Sequence, residues 1–218
     1  MCPDNPGGYA LLALAYHGDY VLGNTKFPRE TLENGIELAQ KALAMDDSIP
    51  DAHGLLCRLY SSKGEHDKAI AEGERAVALN PSGWGVLTNY GTTLTQAGRP
   101  EEAIPLLQKV IRLNPLGPAY IYSNLGRALR MTGRFEEAVS AYKKASQLAP
   151  DNLGFHVELA ATYFMMGLEE EARAEAAEVL RINPKFSLDH FAQAVLAGYK
   201  DPSVRLKIID ALRKAGLK

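Results

Sequence analysis

One phrase returns along this chain on a near-fixed period: a glycine, four residues, an alanine, and a proline twelve residues after the alanine. It reads Gly64, Ala69, Pro81; then Gly98, Ala103, Pro115; then Gly133, Ala138, Pro150; then Gly167, Ala172, Pro184. Successive glycines lie 34, 35 and 34 residues apart. Self-similarity at such a period marks a stacked array, in which each unit buries its apolar face only against its neighbours. Such a chain presents a surface, and nothing in the repeat itself supplies a reaction centre.

The units starting at Pro50, Trp84, Ala119 and Leu153 align slot by slot. Where the first helix of a pair meets the second, the slot holds Cys57, Gly91, Gly126 and Ala160, all small enough for two backbones to approach. Leu56, Tyr90, Leu125 and Leu159 precede it, and Tyr60, Leu94, Leu129 and Tyr163 follow three residues later. This spacing places them on one helical face. Gly64, Gly98, Gly133 and Gly167 are expected to close the first helices with positive φ, and acidic residues such as Glu101, Glu102, Glu136 and Glu137 complement the positive start of the second helices. Asn80-Pro81, Asn114-Pro115 and Asn183-Pro184 end those second helices. Pro105 falls early in one of them and is expected to cost a hydrogen bond or produce a kink.

On these residues the chain resembles a tetratricopeptide repeat (TPR) protein over Pro50 to Phe186. The fold this implies is all-α: a right-handed TPR superhelix, an α-solenoid of about five helix-turn-helix repeats with a C-terminal capping helix pair. The repeats are expected at about 6–49, 50–83, 84–118, 119–152 and 153–186, with the cap at 187–218, in a single domain over 1–218. The first repeat carries about seven extra residues between Gly23 and Gly35, read as an enlarged loop around Asn24 to Pro28, with a second helix from Pro28 to Met45. In the tail, Leu188, Phe191, Val195, Val204, Ile208, Ile209 and Leu212 keep apolar spacing and predict two helices parted near Asp201-Pro202. The chain opens on the closing phrase of a repeat, without a visible cap, and is expected to be a detached part of something longer.

A narrower resemblance rests on the order of features. The extended first repeat, the runs Ile70 to Ala76 and Arg99 to Leu107, and Val179 to Pro184 with Leu212 to Leu217, together resemble the C-terminal TPR regions of bacterial adenylate/guanylate cyclases. That implies an accessory region of a signalling protein. No residue here resembles a cyclase catalytic domain.

TPR arrays hold partner segments on the inner face of the first helices, and the resemblance carries that role onto Arg58, Thr88, Asn89, Thr92, Gln96, Tyr120, Asn124, Arg127, Arg130 and Phe164. Asn can bond an extended backbone and Arg can fork a carboxylate. The partner expected is a protein or peptide segment with an acidic group. The Lys and Asn clamp of chaperone-binding TPR domains is largely missing, since its first slots hold Gly54 and Arg58 and its later basic slots hold Tyr120 and Asn124. A generic binder of C-terminal tails is therefore disfavoured.

Other function classes find little support. A net charge of −2 with dispersed basic residues argues against nucleic acid. The longest apolar run, near Tyr9 to Tyr16, is far short of a membrane span. Cys2 and Cys57 lack a metal spacing and point to a reducing cytoplasm. His53 lies four residues before Cys57, and His53, His156 and His190 occupy equivalent slots, but no third ligand is evident and packing roles are favoured. No phosphate loop, nucleophile elbow or HExxH motif is present. No cofactor or metal is expected, and the function expected is non-catalytic binding. Two alternatives stand beside it: self-assembly into a homo-oligomer through an uncapped N-terminal end, and a metal-dependent enzyme resting on His53 and Cys57 alone.

Overall fold

The computed structural model describes residues 5–194 and 196–218, so Cys2 and the apolar position Val195 lie outside the described residues. Among the described residues there are twelve helices and no strand. They are α1 (Pro6–Leu22), α2 (Pro28–Met45), α3 (Pro50–Lys63), α4 (His66–Leu79), α5 (Trp84–Gln96), α6 (Pro100–Leu113), α7 (Tyr120–Met131), α8 (Phe135–Leu148), α9 (Leu153–Met165), α10 (Glu169–Ile182), α11 (Leu188–Ala194) and α12 (Pro202–Lys214). Each odd helix from α1 to α9 packs on the even helix after it, and the odd helices also touch in series, α1 on α3, α3 on α5, α5 on α7 and α7 on α9. The result is a solenoid whose odd helices line one continuous face.

The seams follow from side-chain size. Ala69, Ala103, Ala138 and Ala172 are fully buried, and Tyr142, also fully buried, fills the gap beside Gly126, where an added Cβ would fall 2.7 Å from its ring. The turn glycines Gly64, Gly98, Gly133 and Gly167 take φ between 76° and 82°, as expected of residues that must reverse the chain after a helix. Helix α6 runs unbroken through Pro105. The proline lies on its exposed side, where the freed carbonyl is open to water.

The insertion in the first helix pair is shared between loop and helix. Five residues, 23–27, link α1 to α2 where two link α3 to α4, and α2 has 18 residues against 14 in α4. The expected enlarged loop is thus partly an extra turn of helix.

The C-terminal helices α11 and α12 form the expected pair and also reach back along the array. Helix α12 packs on α9 and closes that end of the core with Ile208 and Leu212, and the Lys218 carbonyl accepts from the Leu188 N–H at 2.7 Å. Helix α11 packs on α12 and also touches α1. The His190 ring lies against Gly23, where an added Cβ would fall 3.1 Å from its Cε1. Residues 196–200 cross the C-terminal ends of α3 and α5. Lys200 N–H donates to the Gln96 carbonyl at 2.8 Å, so the chain's own tail satisfies a carbonyl at the end of α5 that the helix leaves unpaired. Tyr199 is buried beside this tie.

Candidate functional site

The odd helices and the returning tail enclose a well of about 420 Å³. Its walls are the C-terminal half of α1 (His17, Tyr20, Val21), α3 (Arg58, Ser62), α5 (Thr88 to Gln96) and α7 (Tyr120, Asn124, Arg127), and Gly198 of the tail contributes to its base. A second groove, about 430 Å³, adjoins it along the N-terminal halves of α1, α3 and α5 and is lined mainly by apolar residues, Ala10, Leu11, Leu14, Ile49 and Leu55, with the Asp51 carboxylate at its edge. Arg58 and Asn89 belong to both cavities. The whole is a track with an apolar mouth and a polar interior, closed where α11 and residues 196–200 cross the helix ends.

Eight of the ten residues expected on the inner face line this well: Arg58, Thr88, Asn89, Thr92, Gln96, Tyr120, Asn124 and Arg127. Thr88 and Thr92 hydroxyls donate to the Trp84 and Thr88 carbonyls, which leaves their oxygens as acceptors. Gln96 accepts from the Ser61 hydroxyl at 2.6 Å. Arg58 is half-buried, and among the described residues no carboxylate pairs with it. Burial pulls its guanidinium below the ordinary arginine value. Burial and then the neighbouring Arg58 charge push His17 down to about 3, so its imidazole is neutral and sits 3.3 Å from the Ser62 hydroxyl.

The other two residues are placed elsewhere. Phe164 is half-buried on α9 under Lys214 of α12, whose Nζ is 5.9 Å from the ring centroid. Arg130 is 4% exposed and belongs to the core. Its Nη1 donates to Glu158 Oε2 at 2.6 Å, and Arg127 Nε donates to Glu158 Oε1 at 2.6 Å. A single carboxylate from α9 therefore holds two guanidiniums from α7. Burial alone raises the Glu158 carboxyl, but the two arginines outweigh it and hold the group below its ordinary range. The expected use of Arg130 as an accessible fork for a partner's acid meets a competing acid within the chain, one that sequence slots alone did not pair with it.

Three family models, each described as tetratricopeptide repeat, match residues 20–84, 85–151 and 129–199. The chain is a tetratricopeptide repeat protein. A comparison with curated proteins gives no match. Among solved structures, this TPR chain is similar to TTC0263, a thermophilic TPR protein of Thermus thermophilus, at 23% identity over 95% of this chain and 99% of that one, with a TM-score of 0.70. It is also similar to PilW, a type IV pilus biogenesis factor, at 18% identity over 96% and 90% of the two chains and a TM-score of 0.74. A third is YrrB, described as a TPR protein with an unusual peptide-binding site, at 21% identity over 89% and 92% and a TM-score of 0.58. These likenesses establish the TPR fold.

The histidines His53 and His156 and the described cysteine of this TPR array are engaged in packing. His53 places Nδ1 2.6 Å from Glu72 Oε2 and Nε2 3.0 Å from the Asp47 carbonyl, and His156 repeats the arrangement with Glu175 and the Pro150 carbonyl. Each clips a first helix to the second helix and to the turn before it. Cys57 Sγ donates to Thr93 Oγ1 at 3.1 Å, and burial pushes its thiol up to about 12, which keeps it un-ionised. His53 and Cys57 thus face different partners.

The buried triad generates a stability prediction. A carboxylate held below its ordinary value contributes stability that is present above about pH 4.5 and lost as pH falls through the lowered folded value. Glu158→Ala leaves two guanidiniums without their acid and is expected to cost roughly 3–5 kcal/mol. Glu137→Ala, which breaks an exposed pair with Arg134, is expected to cost under about 1 kcal/mol. Urea unfolding of the two variants beside the parent checks this, and similar small losses in both would contradict the buried assignment.

Proposed function

We propose that this TPR protein is a non-catalytic interaction scaffold that binds a partner segment on the face lined by its odd helices, with an acidic group of the partner directed at Arg58. The observation that carries the reading is the half-buried guanidinium of Arg58 at the junction of an apolar groove and a polar well, without a carboxylate partner among the described residues. Leu11, Leu14, Ile49 and Leu55 offer apolar contacts to the segment at the mouth. Asn89 and Asn124 offer both donors and acceptors to its backbone. Membership of the TPR family supports a binding role, as does the description of YrrB as having a peptide-binding site. The runs that resemble cyclase TPR regions support a place as the accessory region of a bacterial signalling protein, and the two widely separated cysteines support a cytoplasmic location.

Charge reversal at Arg58 is the sharper test, because Arg127 and Arg130 hold the core acid and their reversal would release α7 from α9. Capture from a lysate with the parent protein, with Arg58→Glu and with Leu14→Asp should retain a partner on the parent only. Equal recovery on all three, with folding verified, moves the partner off this face.

A second reading is favoured by α1 itself. Leu11, Leu14 and Val21 are 70%, 47% and 43% exposed along one stripe of the helix, an apolar face that another copy of the chain would cover. Light scattering over a dilution series should then show dissociation of an oligomer, and Leu11→Asp should shift it to the monomer. A monomer at every concentration removes this reading.

A further inference from the structure

The well differs from an open solenoid groove in having a base. Helix α11 lies against the end of α1, and residues 196–200 after it cross the C-terminal ends of α3 and α5. They are tied by Lys200 N–H to the Gln96 carbonyl and packed so tightly at Gly198 that an added Cβ would fall 2.8 Å from Gln96 Nε2. The crossing tail obstructs this end of the groove. The volume, about 420 Å³, is that of a site for a compact molecule.

The lining has hydrogen-bonding capacity that the protein leaves unused. Among the described residues, the side chains of Tyr20, Arg58, Asn89, Tyr120 and Asn124 find no hydrogen-bond partner. Arg127 adds positive charge, because Glu158 is one anion shared between two guanidiniums. The local excess is therefore cationic, with one unpaired guanidinium ringed by phenol and carboxamide groups. A carboxylate accepts the Arg58 fork, while hydroxyl or amide groups on the same molecule suit donors and acceptors from both asparagines and both tyrosines.

We propose that the well is a binding site for a small polar organic acid, one carboxylate on a compact body bearing hydroxyl or amide groups. The proposal shares Arg58 with the partner reading, so free acid and partner would compete, but it needs no partner to hold. Arg58 is the anchoring residue. Tyr120, at the rim, is a positioning residue for the body of the acid.

The test uses the full chain, labelled for NMR, titrated with sodium gluconate, sodium propionate or sodium chloride at matched ionic strength. Gluconate should produce saturable shifts at the side-chain signals of Asn89, Asn124 and Arg58. Propionate, with a carboxylate alone, should bind more weakly, and chloride should give no saturation. Arg58→Met, which removes a guanidinium that pairs with no carboxylate among the described residues and should therefore leave the backbone spectrum intact, should weaken gluconate roughly tenfold or more. Tyr120→Phe should weaken it a few-fold. Gluconate shifts no different from those of chloride would overturn the proposal, as would an Arg58→Met protein that titrates like its parent. Either result leaves the lysate capture experiment to decide the partner reading by itself, since the titration contains no partner.

Discussion

The hydrogen bond from Lys200 N–H to the Gln96 carbonyl ties the returning tail across one end of the inner face and gives the groove a base. A stack of helix pairs ordinarily leaves its inner face as a trough, because each pair contacts only the pairs before and after it. Here a segment from the far end of the chain bridges the ends of α1 and α5, with His190 on Gly23 at one side and Tyr199 buried beside Gln96 at the other. That contact is long-range in sequence, and it gives the inner face a base at one end. Helix α12 supports it by packing on α9, so the tail both seals the last pair and reaches back across the trough.

The electrostatics of the inner face depend on that enclosure. Glu158 lies within the core, held by Arg127 and Arg130, and Tyr142 and Tyr199 close around it. Burying one acid with two guanidiniums is costly unless each charge finds hydrogen bonds. Arg130 nonetheless keeps one terminal nitrogen, Nη2, without a partner among the described residues. The excess positive charge extends toward Arg58, whose titratable neighbours include the Tyr120 phenol, the un-ionised Cys57 thiol and the neutral His17 ring, with Asp51 on the adjoining groove. An array with a net charge of −2 thus presents a cationic interior, which matters more to an incoming ligand than the overall charge does.

Local features of the chain were legible in the sequence to different depths. The glycines at the turns, the small residues at the seams and the prolines after the second helices each report a constraint within one or two helices, and a period read from them gives the helical array directly. Eight inner-face positions lie together around the well for the same reason, since helix periodicity alone sets which side chains share a face. The burial of Arg130 has a different cause. Its acid lies 28 residues away on α9, and slot patterns do not show that a neighbouring repeat will bury an ion pair. Phe164 likewise reads as inner-face from its slot, but α12 covers it. The return of the tail was least legible, because residues after Ser187 abandon the Gly and Ala slots and so carry no register with which to dock them.

The enclosed site depends on the closed base, and amide hydrogen exchange at Lys200 measures that closure most directly. If the tail is tied to α5 as described, this amide should exchange only with openings that cost several kcal/mol, with protection approaching that of core amides in α9. Exchange at the rate of a free loop, while α5 and α9 remain protected, would show that the base opens readily, and the inner face would then be an open trough without an enclosed site.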